Sequence, residues 1–272
     1  FAITGGMPAY LNVMAQQPTI EEGLSKHVLD RDGRFHAEVE LLLREELREP
    51  KTYLMILEAI ALGKHRFGEI SNATGMPKSA LTIYLKTLAN LQMVEKTVPV
   101  TDKIPEKSKI SLYRLSDPFF RVWFNYVFPF KSELELDDFQ LAMGKLNAIQ
   151  PHLEALAYED ICREWIWDHR ATVFTPQKVG RWWDKNTEID IVAIGRENNI
   201  LFGEVKWSKN LVGVDIVASL KEKSRFVKWG KAKRFESFIL FSRSGFTDAL
   251  RKQAESEKII LVHGAKVSGQ FH

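Results

Sequence analysis

Apolar residues recur at helical spacing through the first half of the chain and at strand spacing through much of the second. Gly5, Gly6 and Pro8 predict a turn feeding a short helix. Over 35–47, Val39, Leu42, Leu43 and Leu47 predict an amphipathic helix, which Pro50 ends. A second helix over 51–62 presents Leu54, Leu57, Ile60 and Ala61 and stops at Gly63. A short helix follows over 67–73, with Gly75 as its stop. Another covers 78–91, with Leu81, Tyr84, Leu85 and Leu88 as its core face. Residues 93–100 and 110–115 then pattern as strands around a polar loop, 101–109. Three helices and a hairpin, with the tight link 73–77 between the second and third, is the order of a winged helix-turn-helix.

Residues 116–130 concentrate aromatics: Phe119, Phe120, Trp123, Phe124, Tyr126, Phe128 and Phe130. Ser116, Asp117 and Pro118 suit a helix start, and this density predicts a helix buried on most sides rather than a base-stacking surface. Residues 132–150 pattern as a polar connecting helix with a loop. From Pro151 the pattern becomes mixed. It predicts a helix over 153–167 with Leu153, Leu156, Ala157, Ile161 and Trp165 inward, and strands over 172–175, 178–183, 188–194 and 200–207. A basic helix over 212–227, a strand over 235–241, a helix over 248–257 and a strand over 258–262 complete the chain. The fold class is therefore multidomain α and α/β. A helical segment (1–48) precedes a winged helix-turn-helix (49–116), an aromatic-rich helical linker (117–150) and an α/β domain with a mixed central sheet (151–272).

Composition adds bounds. The 272 residues are 45% hydrophobic and 27% charged, an ordinary globular balance, and no apolar run approaches a membrane span. No secretory signal is visible, and the lone Cys162 excludes an internal disulfide framework, so a cytoplasmic setting is expected. The start at Phe1 implies a piece of something longer. Net charge is +3, but its distribution is uneven. Residues 51–131 carry 12 basic and 6 acidic side chains, 132–204 carry 7 and 14, and 205–252 carry 12 and 4. Two basic stretches could collect phosphate backbone, although solvated helix faces carry the same residues. On the third helix of the winged element, Lys78, Ser79, Thr82 and Lys86 share the outer face. The basic helix brings Lys221, Lys223, Arg225 and Lys228. They are candidate DNA contacts or simply solvated positions.

The chemistry concentrates on two strands. Alternation places Asp190 on a face with Val192 and Ile194, and Glu204 and Lys206 on a face with Ile200 and Phe202. The opposite faces, with Ile189, Ile191 and Ala193 and with Leu201, Gly203 and Val205, are also apolar, so both strands should be central. Ionisable groups at the ends of buried strands are costly unless paired or metal-bound. A salt-bridged cluster without catalysis is the plain alternative. His152, His169 and His263 stand apart, and no Ser/His/Asp pattern is present.

Glu188-Ile189-Asp190, 13 intervening residues, then Glu204-Val205-Lys206 resembles the PD-(D/E)xK signature of restriction-endonuclease-like nucleases, with Ile189 in the usual proline position. The resemblance implies that Asp190 and Glu204 bind Mg²⁺ or Mn²⁺, that Glu159 on the preceding helix adds a ligand, and that Lys206 places or activates the attacking water. Together with the winged helix, the segments Gly5-Gly6-Met7-Pro8-Ala9-Tyr10-Leu11 and Gly180-Arg181-Trp182-Trp183 resemble the C-terminal region of an archaeal-type AAA/STAND ATPase family. That resemblance makes 1–48 the remnant of an ATPase lid and implies an N-terminal P-loop ATPase module in the full-length protein. No G-x-x-x-x-G-K-[ST] motif occurs, so no nucleotide site is expected in this chain.

Two functions follow as expectations. One is metal-dependent hydrolysis of phosphodiester bonds in DNA, with Asp190, Glu204, Lys206 and Glu159 as the site. The other is a non-catalytic DNA- or protein-binding module of a regulatory ATPase. Sequence leaves the oligomeric state open.

Overall fold

The computed structural model describes residues 1–230, 233–264 and 266–268. They form two compact units, one of residues 1–97 and 111–153, the other of 98–110 and 154–272.

In the first unit the helices are α1 (Pro8–Met14), α2 (Ile20–Leu24), α3 (Glu38–Glu46), α4 (Pro50–Ala61), α5 (Phe67–Thr74) and α6 (Lys78–Asn90). Strands β1 (Val94–Thr97) and β2 (Leu112–Leu115) pair antiparallel, and helices α7 (Pro118–Tyr126) and α8 (Lys131–Leu134) follow. Pro8, Pro50 and Pro118 open α1, α4 and α7, where the missing N–H costs nothing. Gly75 ends α5 at φ 66°, a left-handed position that glycine takes without strain. Leu81, Leu85 and Leu88 of α6 are buried, and Arg66 bridges to Leu112 beside the β1–β2 hairpin. Residues 1–97 and 111–153 share one core, in which Tyr10 and Phe35 pack on Phe119 and the Trp123 indole donates to His36 O.

Helix α9 (Gln140–Asp168) runs through Pro151, where the sequence predicts a break, and the division between the units falls at Leu153/Glu154. An internal proline costs about 3 kcal/mol. Leu146 and Leu153, buried on either side of it, each return roughly 1.5–3 kcal/mol, so the helix continues. The inward stripe further along α9 is Tyr158, Cys162, Trp165 and Ile166, whereas Ile161 is exposed. Cys162 acts as a small hydrophobe and sets the stripe one position later than the aliphatic residues alone predict.

The second unit holds a six-stranded mixed sheet in chain order: β3 (Pro176–Trp183), β4 (Glu188–Gly195), β5 (Asn199–Lys206), β6 (Phe235–Ser242), β7 (Ile260–His263) and β8 (Lys266–Ser268). The β5–β6 and β6–β7 pairs are parallel and the rest antiparallel. Helices α10 (Asp215–Ser224) and α11 (Asp248–Glu257) cover the face carrying Val192, Phe202 and Leu240, and α9 covers the face carrying Ile191, Leu201 and Ile239. Residues 172–175 form no strand, contrary to the sequence pattern, since four residues ahead of an edge strand that starts at Pro176 have no neighbour to pair with. The short strand β8 has no counterpart in the sequence pattern. The loop after β1 belongs to this unit. Val100 N–H donates to Arg181 O, and the Trp183 indole donates to Ile110 O.

Gly203 sits between two β-branched neighbours. A Cβ there would stand 2.9 Å from Ile239 Cγ2 and 3.0 Å from Ile191 Cβ. Gly203→Ala is expected to cost about 1–3 kcal/mol by overpacking. A thermal midpoint equal to that of the parent protein would show that the strands give way freely.

Candidate functional site

The two motif strands meet at an irregularity. In the β3–β4 pairing, Gly180 faces Val192 but Trp182 faces Ile189, so Asp190 and Ile191 together stand opposite Arg181. This is the arrangement of a β-bulge, which re-aims side chains. The alternation predicted from sequence fails here. Ile189 packs in the α10 face with Val192, while Ile191 and Ala193 pack on the α9 face. The β4–β5 ladder stops at Ile191↔Gly203, and the Asp190 side chain takes over beyond it. Its Oδ2 accepts the Val205 N–H at 2.9 Å, and its carbonyl accepts Arg163 Nη1 at 3.1 Å.

Glu204 is buried and bound twice. Lys206 Nζ donates to its Oε1 at 2.8 Å, and Lys223 Nζ from α10 donates to both oxygens at 3.1 and 3.0 Å. Burial and the charges of Glu204 and Glu159 push the Asp190 carboxyl up to about 7, against the Val205 N–H and Lys206, which pull it down. Burial lowers the Lys206 ammonium, but the hydrogen bond to Glu204 and the charges of Glu204, Asp190 and Glu159 outweigh it and hold the group above its usual value. The structure therefore brings Asp190, Glu204 and Lys206 into one electrostatic cluster. Glu159, on α9, stands at its edge. Its Oε2 lies 3.4 Å from Arg181 Nη1 and 3.6 Å from Arg163 Nη1, within ion-pair reach of both. Yet Glu159 Oε2 and Arg181 Nη1 are both buried without a hydrogen bond among the described residues.

The chemistry of the donors suits a hard cation. Burial first, and then the charges of Glu204 and Glu159, raise the Asp190 carboxyl, and a divalent ion at its oxygens would offset that cost. No three His, Cys, Asp or Glu side chains gather tightly enough among the described residues to hold an ion unaided. Mg²⁺ is commonly held by one or two carboxylates, with water and substrate phosphate completing the shell. Asp190 and Glu204 fit that count, provided the two ammoniums on Glu204 leave it an open oxygen.

The other candidates lie elsewhere. Lys78, Ser79, Thr82 and Lys86 are all exposed on α6, and the Thr82 hydroxyl donates back to Lys78 O. Lys221 pairs with Glu257 of α11, and Lys223 is turned onto Glu204, while Arg225 and Lys228 are exposed. Arg163 stands at i+4 from Glu159 on α9, a spacing the sequence could have signalled, but no local pattern signals Lys223 at Glu204 or Arg181 at Glu159, because strand pairing and packing bring those partners together. A cleft of about 650 Å³ opens at the other end of the strands, by Gly195, Asn199 and Phe235. It holds none of the motif residues.

Known proteins match in two segments. The IclR helix-turn-helix domain matches residues 53–97, from within α4 to the end of β1. A family described as archaea bacterial proteins of unknown function, DUF234, matches 123–234 and so includes Glu159, Asp190, Glu204, Lys206 and Lys223. An uncharacterized protein of Methanocaldococcus jannaschii is 33% identical over 234 residues, covering 84% of this chain and 52% of its own length. The chain thus spans about half the length of that curated relative. No helix among the described residues is long and apolar enough to cross a membrane. The chain combines an IclR-type helix-turn-helix, a DNA-binding architecture, with a DUF234 domain.

Proposed function

We propose that the second unit is a restriction-endonuclease-like domain that hydrolyses phosphodiester bonds in DNA with Mg²⁺ or Mn²⁺, and that the winged helix delivers the duplex. The observation that carries this is the gathering of Asp190, Glu204 and Lys206 at one end of β4 and β5, with the Asp190 carboxyl held at about 7 by burial and neighbouring negative charge. Asp190 and Glu204 would hold the ion, with Glu159 close behind. A bound divalent ion would supply Lewis-acid stabilisation of charge growing on the phosphoryl oxygens. Lys206, charged and 35% exposed at its side chain, would orient the attacking water by hydrogen bonding. The water oxygen would bond to phosphorus, shedding a proton to solvent, as the bond to the leaving oxygen breaks. The electron pair departs with that oxygen, which takes up a proton. Nearly half of the M. jannaschii relative lies outside the match, a length that would accommodate an N-terminal ATPase module, with 1–48 as the tail of its lid. The test is nicking of duplex, single-stranded and junction DNA with Mn²⁺ and with chelator. Cleavage that ignores the chelator would end this assignment.

One observation favours a second reading. Glu204 is already neutralised by two ammoniums, as in a structural ion-pair cluster, and nuclease-type folds also serve as non-catalytic binding modules. A calorimetric titration with Mn²⁺ separates the two, since a scaffold would take up no ion at Asp190.

DNA binding by α6 has its own test. Replacing Lys78 and Lys86 together with alanine is expected to weaken duplex binding across sequences. The slope of log affinity against log salt should fall by about 2, near one unit for each phosphate that a lysine no longer neutralises. Anisotropy of a labelled duplex through a salt series reads both. An unchanged slope would remove α6 from the DNA interface.

A further inference from the structure

The carboxyl ends of the parallel strands β5 and β6 bring a second basic group beside Lys206. Arg243, one residue past the Lys206↔Ser242 pair, donates its N–H to Lys206 O at 3.1 Å as the two chains leave the sheet. The Arg243 guanidinium lies over the Trp207 indole, 4.4 Å from the ring centroid. Trp207 is itself fixed. Tyr158 packs against it at 4.9 Å between centroids, and its Nε1 donates to Glu154 Oε2 at 2.9 Å. The same Glu154 oxygen stands 3.9 Å from Arg243 Nη1, close enough for attraction but too far for a hydrogen bond.

This is an arginine held against an aromatic ring, with its fork of donors unspent. No hydrogen bond from its guanidinium to the described residues is present, and its side chain is 43% exposed. An exposed arginine ordinarily loses rotamer freedom on gripping an anion. Here the indole and Glu154 have already restricted the side chain, so less freedom is lost. A planar fork matches the two free oxygens of a phosphodiester. The indole does not offer a stacking surface to a base, because Arg243 and Tyr158 pack against it.

We infer that Arg243, positioned by Trp207 and Glu154, binds a backbone phosphate of the DNA strand next to the one attacked at the Asp190–Glu204–Lys206 cluster. The inference rests on the hydrolase assignment for its substrate, and it makes Arg243 a substrate-binding residue rather than a group that acts on the reacting atoms.

The test uses the full chain and a fluorescent single-stranded hexanucleotide, which gives the winged helix no duplex to hold, with Ca²⁺ in place of Mn²⁺. Arg243→Gln is expected to weaken binding about tenfold and to lower the salt slope by about 0.7, the share of one phosphate on a single strand. Arg243→Lys should restore the slope but only part of the affinity, because charge returns without the fork. Trp207→Phe, which keeps a ring but loses the Glu154 bond, should weaken binding less than Arg243→Gln. In cleavage assays with Mn²⁺, Arg243→Gln should raise KM and leave kcat nearly unchanged. Arg243→Gln binding the hexanucleotide with parental affinity and slope would overturn the inference, and so would a loss confined to kcat. If Asp190→Asn cleaves normally while Arg243→Gln still binds poorly, the phosphate site stands and the hydrolase assignment falls. If Asp190→Asn is inert and Arg243→Gln is unaffected, the reverse holds.

Discussion

Asp190→Asn is expected to abolish Mn²⁺-dependent nicking of plasmid DNA, with a loss of about 10³-fold or more, and to leave the protein folded. The asparagine amide oxygen can still accept the Val205 N–H that Asp190 Oδ2 accepts at 2.9 Å, so the junction of β4 with β5 keeps its bond. What goes is the negative charge. An ion that stabilises a phosphoryl transition state contributes several kcal/mol, and each 1.36 kcal/mol is about a factor of ten in rate. Asp190→Ala should be equally inactive but also less stable, because the Val205 N–H then loses its acceptor. Conversion of supercoiled to nicked plasmid reads the rate, and calorimetry with Mn²⁺ reads the ion. Parental cleavage by the asparagine variant would identify the activity as a contaminant. Parental Mn²⁺ affinity would place the ion away from Asp190.

The second large effect is on stability, and it runs opposite to the usual behaviour of a carboxylate. The Asp190 carboxyl is raised from 3.8 to about 7, so between those values the folded chain holds a proton that the unfolded chain has released. The stabilisation is complete below about 3.8 and is lost as pH rises through about 7. With chelator present, this group is therefore expected to remove on the order of 2–4 kcal/mol between about pH 4 and 8. Asparagine has no proton to lose. Asp190→Asn should accordingly gain on the parent protein by more at about pH 8 than at about pH 5, as read by thermal midpoints. Midpoints of the two proteins that stay parallel across that range would mean that the carboxyl titrates normally.

The parts of the molecule that sequence predicts well are those whose shape depends on neighbours along the chain. The winged helix-turn-helix belongs to this group. Leu81, Leu85 and Leu88 repeat at helical spacing, Gly75 supplies a left-handed stop, and Pro77 precedes the next helix. The pairing of β4 with β5 is legible too, because both faces of each strand are apolar and the turn between them is short. What escapes the sequence depends on tertiary partners. The bulge at Asp190 is set by pairing with β3, and simple alternation gives Ile189 the wrong face. Pro151 stays helical because leucines on both sides are buried. For the candidate site, the spacing of Asp190, Glu204 and Lys206 is enough to bring three groups together. The further cations around them come from α9, β3 and α10; Arg163 of α9 lies one helical turn beyond Glu159, but no local pattern announces Arg181 or Lys223.

The loop between β1 and β2 carries a consequence for anyone dividing the molecule. Residues 98–110 lie in sequence inside the winged element, yet they fold with the sheet, where Val100 fills the space above Gly180 and Ile110 supplies the acceptor for the Trp183 indole. A truncation beginning at 151 would strip the edge strand of this cover and leave a tryptophan donor unanswered. A protein ending at 116 would carry the same peptide with nothing to rest on. The two halves are interleaved by threading rather than strung in series, and they are better studied as one polypeptide.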